Sequence, residues 1–225
     1  MPAFEILLLR YRLENLIMRL LWRLASRLTA NLIMTHGPVQ PGAVYLSFDD
    51  GPDPKYTERL IALLAEHNAK ASFFLIAELA AAAPDLVARI LSSGHSIGNH
   101  SMSHPAMYRL GFTAQWQQID QGDTVLQGLD PGHQHAFRPP NGRITWAALL
   151  NTLLRRRPMV MWSIDSMDYK LDAEAVVKRL RSRPPTGGDI ILFHDDGECA
   201  LLALQVLLPE WKLAGLRFLP LECAG

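Results

Sequence analysis

Seven short apolar, strand-like runs recur along this chain, at residues 44–48, 71–76, 96–99, 136–138, 159–164, 189–193 and 217–219. Helical patterns lie between them at 55–67, 84–92, 113–128, 145–156, 173–183 and 200–208. Pro84 suits a first helical turn, and Thr145 and Asp172 suit capping positions. Strand and helix in strict alternation leave few architectures, because parallel neighbours need a helical crossover. Seven strands are many for a small open sheet and one short of a regular eight-stranded barrel. The expectation is therefore an α/β fold, a distorted (β/α)7 barrel of parallel strands over residues 43–222. A turn-rich linker at 37–42 sets it apart from an N-terminal segment, residues 1–36.

The polar residues fall in register with that pattern. Asp49 and Asp50 follow the first run, His100 and His104 the third. Arg138 ends the fourth, Asp165 and Asp168 follow the fifth, and His194 and Asp195 follow the sixth. In a parallel barrel the carboxyl ends of all strands share one face, where active sites are assembled. Independent surface residues would not share this registration.

The residue types suggest a metal centre. Two imidazoles at i, i+4 meet one ion if their segment is helical, and a carboxylate from elsewhere completes a facial set with open positions for water and substrate. That makes His100, His104 and Asp50 the expected ligands. Adjacent carboxylates on a turning backbone point apart, so Asp49 is left to act as a base. Taken alone, Asp-Gly-Pro is ordinary turn chemistry and a spaced histidine pair arises by chance; together they are specific. Arg138, before a stiff Pro-Pro turn, is expected to hold Asp49 through a bidentate contact. Of the remaining histidines His194, at a strand end, is the best general acid, with Asp165 or Asp168 beside it to set its tautomer and raise its pKa. His36 and His95 have no such spacing.

Formal charge is zero, from 22 basic and 22 acidic side chains, so nucleic acid is not the expected partner. Cys199 and Cys223 fit no metal spacing. Residues 4–34 are leucine-rich but interrupted by Glu5, Arg10, Arg12, Glu14, Arg19, Arg23 and Arg27, leaving no uncharged stretch of membrane-spanning length and no cleavable signal pattern. On a helical wheel Arg12, Asn15, Arg19, Arg23 and Ser26 oppose Leu9, Leu13, Leu16, Leu20, Leu24 and Leu28. The segment reads as an amphipathic helix, either packed on the barrel or lying peripherally in a membrane interface. With no signal peptide recognised, the expected location is cytoplasmic, at the inner face of the membrane if the helix binds lipid.

Ser47-Phe48-Asp49-Asp50-Gly51-Pro52, His100-Ser101-Met102-Ser103-His104-Pro105, Arg138-Pro139-Pro140-Asn141-Gly142, Asp165-Ser166-Met167-Asp168-Tyr169 and Ile191-Leu192-Phe193-His194-Asp195 resemble, in order and spacing, the five motifs of the polysaccharide deacetylases, carbohydrate esterase family four, over roughly residues 43–220. The resemblance implies hydrolysis of the acetyl group of an N-acetylated amino sugar in a glycan by a divalent metal, zinc first and cobalt, nickel or manganese as alternatives; the N-terminal helix extends the expected substrates to a lipid-linked saccharide. An O-acetyl esterase of decorated polysaccharide is the rival activity. Carried across, Asp50, His100 and His104 are the metal ligands, Asp49 the base and Arg138 its orienting partner. His194 is the acid that protonates the leaving amine, and Asp168 the residue that tunes it. Leu192 would receive the acetyl methyl, and the backbone N–H of Asn141 would stabilise the oxyanion. Three positions depart from the commonest pattern: Ser47 for threonine, Asn141 for an aromatic, and Tyr169 for a tryptophan near the sugar. They bear on substrate preference more than on activity.

Overall fold

The computed structural model describes residues 32–221. In chain order the strands are β1 (Ile33–Met34), β2 (Ala43–Asp49), β3 (Ala71–Leu75), β4 (Ser96–Asn99), β5 (Met159–Val160), β6 (Ile164–Asp165), β7 (Ile190–His194) and β8 (Arg217–Phe218). The helices are α1 (Thr57–Glu66), α2 (Ala77–Ala82), α3 (Pro84–Ser92), α4 (Phe112–Leu129), α5 (Trp146–Arg155), α6 (Ala173–Ser182) and α7 (Glu198–Leu213).

The strands pair in parallel in the order β4-β3-β2-β7-β6. The ring closes through two weaker links. Phe137 bridges in parallel to Asn99 on one side and to Met159 on the other, and the chain then runs from β5 into β6, which pairs with β7. The expected run at 136–138 is thus a single bridge, and that at 159–164 is split in two. Its first half serves β1 and Phe137, its second half β7, so no single register holds along it. β8 pairs with the first residues of β2, below the start of β3. The expected barrel is present in this distorted form.

Alternation along β2 decides which side chains reach the interior. Val44, Leu46 and Phe48 join the main core under the helices, where Phe48 stacks on Phe73 and Phe193 at ring separations of 5.0 and 5.9 Å. Ala43 and Tyr45 face the barrel interior with Phe74 and Val160, and the same parity brings Ser47 and Asp49 inward. Register then aligns the strand ends: Asp49 lies opposite His194, and Asn99 opposite Leu75.

Thr145 and Asp172 cap α5 and α6, accepting the backbone N–H of Ala148 and Ala175. The short α2 was not anticipated, since six residues hold too little periodicity to read. The N-terminal helix expected over 1–36 falls outside the described residues up to 31. Its last part is corrected: Ile33–Met34 is a strand on β5, because the amides of Met159 and Met161 take the carbonyls of Leu32 and Met34. Any pairing of Cys199 with Cys223 also lies outside the described residues.

Candidate metal centre and active site

A cleft of about 360 Å³ opens at the carboxyl ends of the strands, lined by Asp49, Asp50, His100, His104, Asn141, Gly142, Trp162, Asp165, Tyr169, Leu192 and His194. Eight of the ten residues expected to form the site line it, and the other two contact the lining from behind, Arg138 at Asp49 and Asp168 at His194. Leu192 lies buried on β7 at the cleft wall.

Asp50, His100 and His104 come together. Oδ1 of Asp50 lies 3.4 Å from Nε2 of His100 and 3.3 Å from Nε2 of His104. The three donor atoms lie within 4.8 Å of one another. Oδ1 is buried yet has no hydrogen-bond partner of acceptable geometry, an arrangement that costs free energy unless a cation completes it. Nδ1 of His100 is 2.8 Å from the backbone carbonyl of Arg138. A carbonyl can only accept, so Nδ1 carries a proton, which leaves Nε2, facing Asp50 and His104, as the nitrogen that can ligate. Burial, then the neighbouring His100, holds His104 below the usual histidine range and so neutral. Burial pushes Asp50 up, but the imidazoles of His100, His104 and His194 outweigh it and keep the carboxylate ionised. Two imidazoles and one carboxylate fit a divalent cation.

The histidine pair does not ride on a helix, contrary to expectation. Residues 100–104 form an irregular turn in which Ser101 and His104 have φ of 73° and 52°. A buried neighbour, Asn99, holds that turn. Its Oδ1 accepts the Ser101 N–H at 2.7 Å, and its Nδ2 donates to the Ile119 carbonyl and to Asp123. Ser101 Oγ in turn accepts the His104 N–H at 3.0 Å. Gly122 on α4 leaves room for this, since a Cβ there would lie 2.6 Å from Asn99 Oδ1.

Asp49 is buried beside the three ligands, its Oδ2 3.7 Å from His100 Nε2. Its Oδ1 accepts from Arg138 Nη1 at 2.6 Å. The contact is single, not the bidentate one expected. Arg138 is fully buried and its other donors are engaged: Nε by the Val160 carbonyl, Nη2 by the Met161 carbonyl, and Nη1 also by Ser47 Oγ. Its guanidinium lies over Phe74, 3.9 Å from the ring centre.

On the opposite wall His194 Nδ1 lies 2.8 Å from Asp168 Oδ1, and the His194 backbone N–H donates to Asp168 Oδ2 at 2.8 Å. Burial would lower the His194 pKa, but the hydrogen bond and charge of Asp168, with Asp49 and Asp50 behind, raise it to about 9. Asp165 plays no part in this: it accepts the Met167 N–H at 2.8 Å as a turn former. The Tyr169 ring stands edge-on to His194 at 5.3 Å. Asn141 occupies the left-handed region, φ 56°.

Three residues were not singled out from the sequence. Asn99 and Trp162 stood inside the strand-like runs 96–99 and 159–164 without an assigned task; Trp162 packs on Gly142 and over Arg138. Asp195 is fully buried under the cleft, hydrogen-bonded through Oδ2 to Thr57, while Oδ1 has no partner. Burial pushes it up to about 7, against the Thr57 hydrogen bond and with the charges of Asp196, Asp50 and Asp49 adding to the rise. Only its place after His194 hinted at this.

Comparison with known proteins adds independent findings. A family model described as polysaccharide deacetylase matches residues 36–155. A peptidoglycan-N-acetylglucosamine deacetylase of Bacillus cereus is 33% identical over 194 residues, 82% of this chain and 69% of that protein. A chitooligosaccharide deacetylase of Sinorhizobium fredii is 33% identical over 159 residues, 68% of this chain and 72% of that protein. The crystal structure of the Bc1960 peptidoglycan N-acetylglucosamine deacetylase, in complex with an N-oxidanyl-benzamide, superposes with a TM-score of 0.79 at 32% identity, covering 87% of this chain and 94% of that one.

Proposed function

The chain belongs to the polysaccharide deacetylase family, and from that premise we propose that it hydrolyses the acetyl group from an N-acetylated, glucosamine-type sugar of a glycan, with Asp50, His100 and His104 holding a divalent cation. The observation that carries this reading is the buried, unpartnered Oδ1 of Asp50 facing two Nε2 atoms, with Asp49 held separately by Arg138. The donor set suits zinc first, with cobalt, nickel or manganese as alternatives. When bound there, the cation polarises the acetyl carbonyl and makes water more acidic.

The chain's own residues supply the rest. Asp49 accepts the proton of the attacking water, its carboxylate aimed by Arg138 Nη1. The Asn141 N–H donates to the oxygen on which charge develops. Leu192 bounds the space for the acetyl methyl. His194, kept protonated by Asp168, gives its proton to the amine nitrogen as the C–N bond breaks, which matters because an unprotonated amine leaves badly. Opposite environments keep one group a base and the other an acid at the same pH. Tyr169 borders the sugar.

A lipid-linked saccharide is the alternative form of this substrate that we propose, supported by the basic amphipathic pattern of residues 4–34, which suits a peripheral position at the inner membrane face. Acetate release from a panel of short N-acetylated and O-acetylated glycans tests the reaction. N-acetyl substrates should be cleaved and His100→Ala should lose both turnover and zinc affinity while keeping its circular dichroism. Release from O-acetyl substrates alone would establish the esterase instead, and full turnover in His100→Ala would remove the metal assignment.

A further inference from the structure

Helix α5 turns an apolar side to solvent. Ala147, Ala148, Asn151 and Thr152 turn inward and are buried. Trp146, Leu150, Leu153 and Leu154 stand at i, i+4, i+7 and i+8, one helical face, and all four are exposed, Trp146 by 82% and Leu154 by 64%. Ile144, Phe112 and Tyr108 continue the patch and border an adjoining groove with Trp146. Single exposed apolar residues are ordinary, but a contiguous stripe marks an interaction surface.

The charge around the stripe identifies what it meets. Residues 101–119 and 139–158 contain no Asp or Glu, but include Arg109, Arg143, Arg155, Arg156 and Arg157. Arg155 and Arg157 pair with Asp120 and Asp123 of α4. Arg109, Arg143 and Arg156 are exposed and have no acidic partner among the described residues. The guanidinium groups of Arg109 and Arg143 lie 5.6 and 4.3 Å from the Tyr108 ring centre. In a chain of zero formal charge, this face is locally cationic.

We propose that the α5 face docks on an anionic lipid surface, with Trp146, Leu150, Leu153 and Leu154 entering the interfacial layer and Arg109, Arg143 and Arg156 meeting lipid phosphates. Leucines at these positions do not suit a sugar, which would stack on aromatic rings rimmed by hydrogen-bonding groups. The chain's own residues 4–34, with five arginines against two glutamates, have the same sign as the face and are drawn to the same surface instead of to it. Asn141 and Gly142 line the cleft and lead directly into Arg143, Ile144 and Trp146. Docking therefore sets the cleft mouth beside the membrane and favours an amino sugar anchored there; that orientation, unlike the docking, rests on the deacetylase reading.

The test uses the full chain with vesicles of phosphatidylcholine alone and of phosphatidylcholine mixed with phosphatidylglycerol. Co-sedimentation should be about tenfold or more stronger on the anionic vesicles, and weaken with salt. Brominated lipids should quench the wild type more than Trp146→Phe, because Trp146 itself meets the acyl region. Leu150→Ser with Leu154→Ser should lower partitioning about tenfold, while acetate release from a soluble N-acetylated oligosaccharide stays within about twofold. Equal quenching of wild type and Trp146→Phe overturns the proposal, as does equal binding to neutral vesicles. If the double serine variant dissociates an oligomer and leaves vesicle binding intact, the face belongs to a second copy. Trp146-dependent quenching in a wild type that releases no acetate supports the docking and sinks only the deacetylase reading.

Discussion

Replacing Asp168 with asparagine keeps the size and shape of the side chain behind His194 and removes its charge. Asp168 meets the His194 ring and backbone N–H, each at 2.8 Å, and accepts from Ser166 Oγ at 3.0 Å. Asparagine can retain part of this set, so the charge is the chief loss. His194 is raised from 6.5 to about 9, with burial acting against the rise. Without the carboxylate, burial prevails and the pKa should fall to 6.5 or below. A difference of about 2.5 units at 1.36 kcal/mol each makes the protonated His194 worth ~3 kcal/mol to the folded state. The folded pKa lies above the unfolded one, so this stability is complete below pH ~6.5 and disappears as pH rises through ~9. Metal-stripped wild type should therefore exceed Asp168→Asn by ~2–3 kcal/mol in urea unfolding at pH 7, and by much less at pH 10. Imidazole NMR titration should move in parallel. In the loaded enzyme a cation beside Asp50 offsets part of the rise, yet the alkaline limb of kcat should still fall at lower pH in the variant. A His194 titrating near 6.5 in the stripped wild type, or coincident alkaline limbs, would refute the reasoning.

Asp49→Asn should leave zinc affinity within a few fold by competition titration and lower kcat by ~10²–10⁴, the usual worth of a general base; unchanged kcat would assign the proton transfer elsewhere. Arg138→Ala strands a buried carboxylate and should cost ~3–5 kcal/mol in chemical denaturation; a loss under ~1 kcal/mol would mean that Asp49 does not need its partner. Asp195 is raised to about 7 from 3.8, so the folded state favours its protonated form and stability falls as pH rises from ~4 to ~7. Asp195→Asn should remove that fall, a difference of up to ~4 kcal/mol between pH 5 and pH 8 in metal-stripped protein, and parallel profiles for the two proteins would contradict it.

What was legible in the sequence was periodicity and position. The apolar runs located the strands because their burial is nearly complete, as on β2, where all seven residues are buried. The registration of Asp49, His100, Arg138, Asp168 and His194 at strand ends located the cleft because parallel strands share a direction. What was not legible depended on hydrogen bonds between distant segments. A bidentate Arg138 was a fair guess from two residue types, but three of its contacts are to backbone carbonyls and a serine that no pattern announces. The split between β5 and β6 likewise follows from which neighbours each half meets.

The histidine turn shows why the missing part lay in backbone conformation. Spacing of four is a helical signature, and a helix would have brought the imidazoles together cheaply. The chain instead uses left-handed residues. Among the described residues seven that are not glycine have positive φ, and five of them, Asp50, Ser101, His104, Asn141 and Met167, lie in the loops around the cleft. Such conformations cost of order 1 kcal/mol or more each and persist only where surrounding contacts enforce them. Here the enforcing groups are identifiable: Asn99 holds Ser101, Ser101 holds His104, and Asp165 holds Met167. A helix would have directed both imidazoles along one face but left the strand end at Asn99 and the Asp50 carboxylate to find them. The turn starts at the strand end itself, so the sheet register that sets Asn99 opposite Leu75 also sets where His100 begins. Positional accuracy at the metal centre thus derives from the barrel, transmitted through two residues of strained backbone, and the buried amide of Asn99 is the part that couples them.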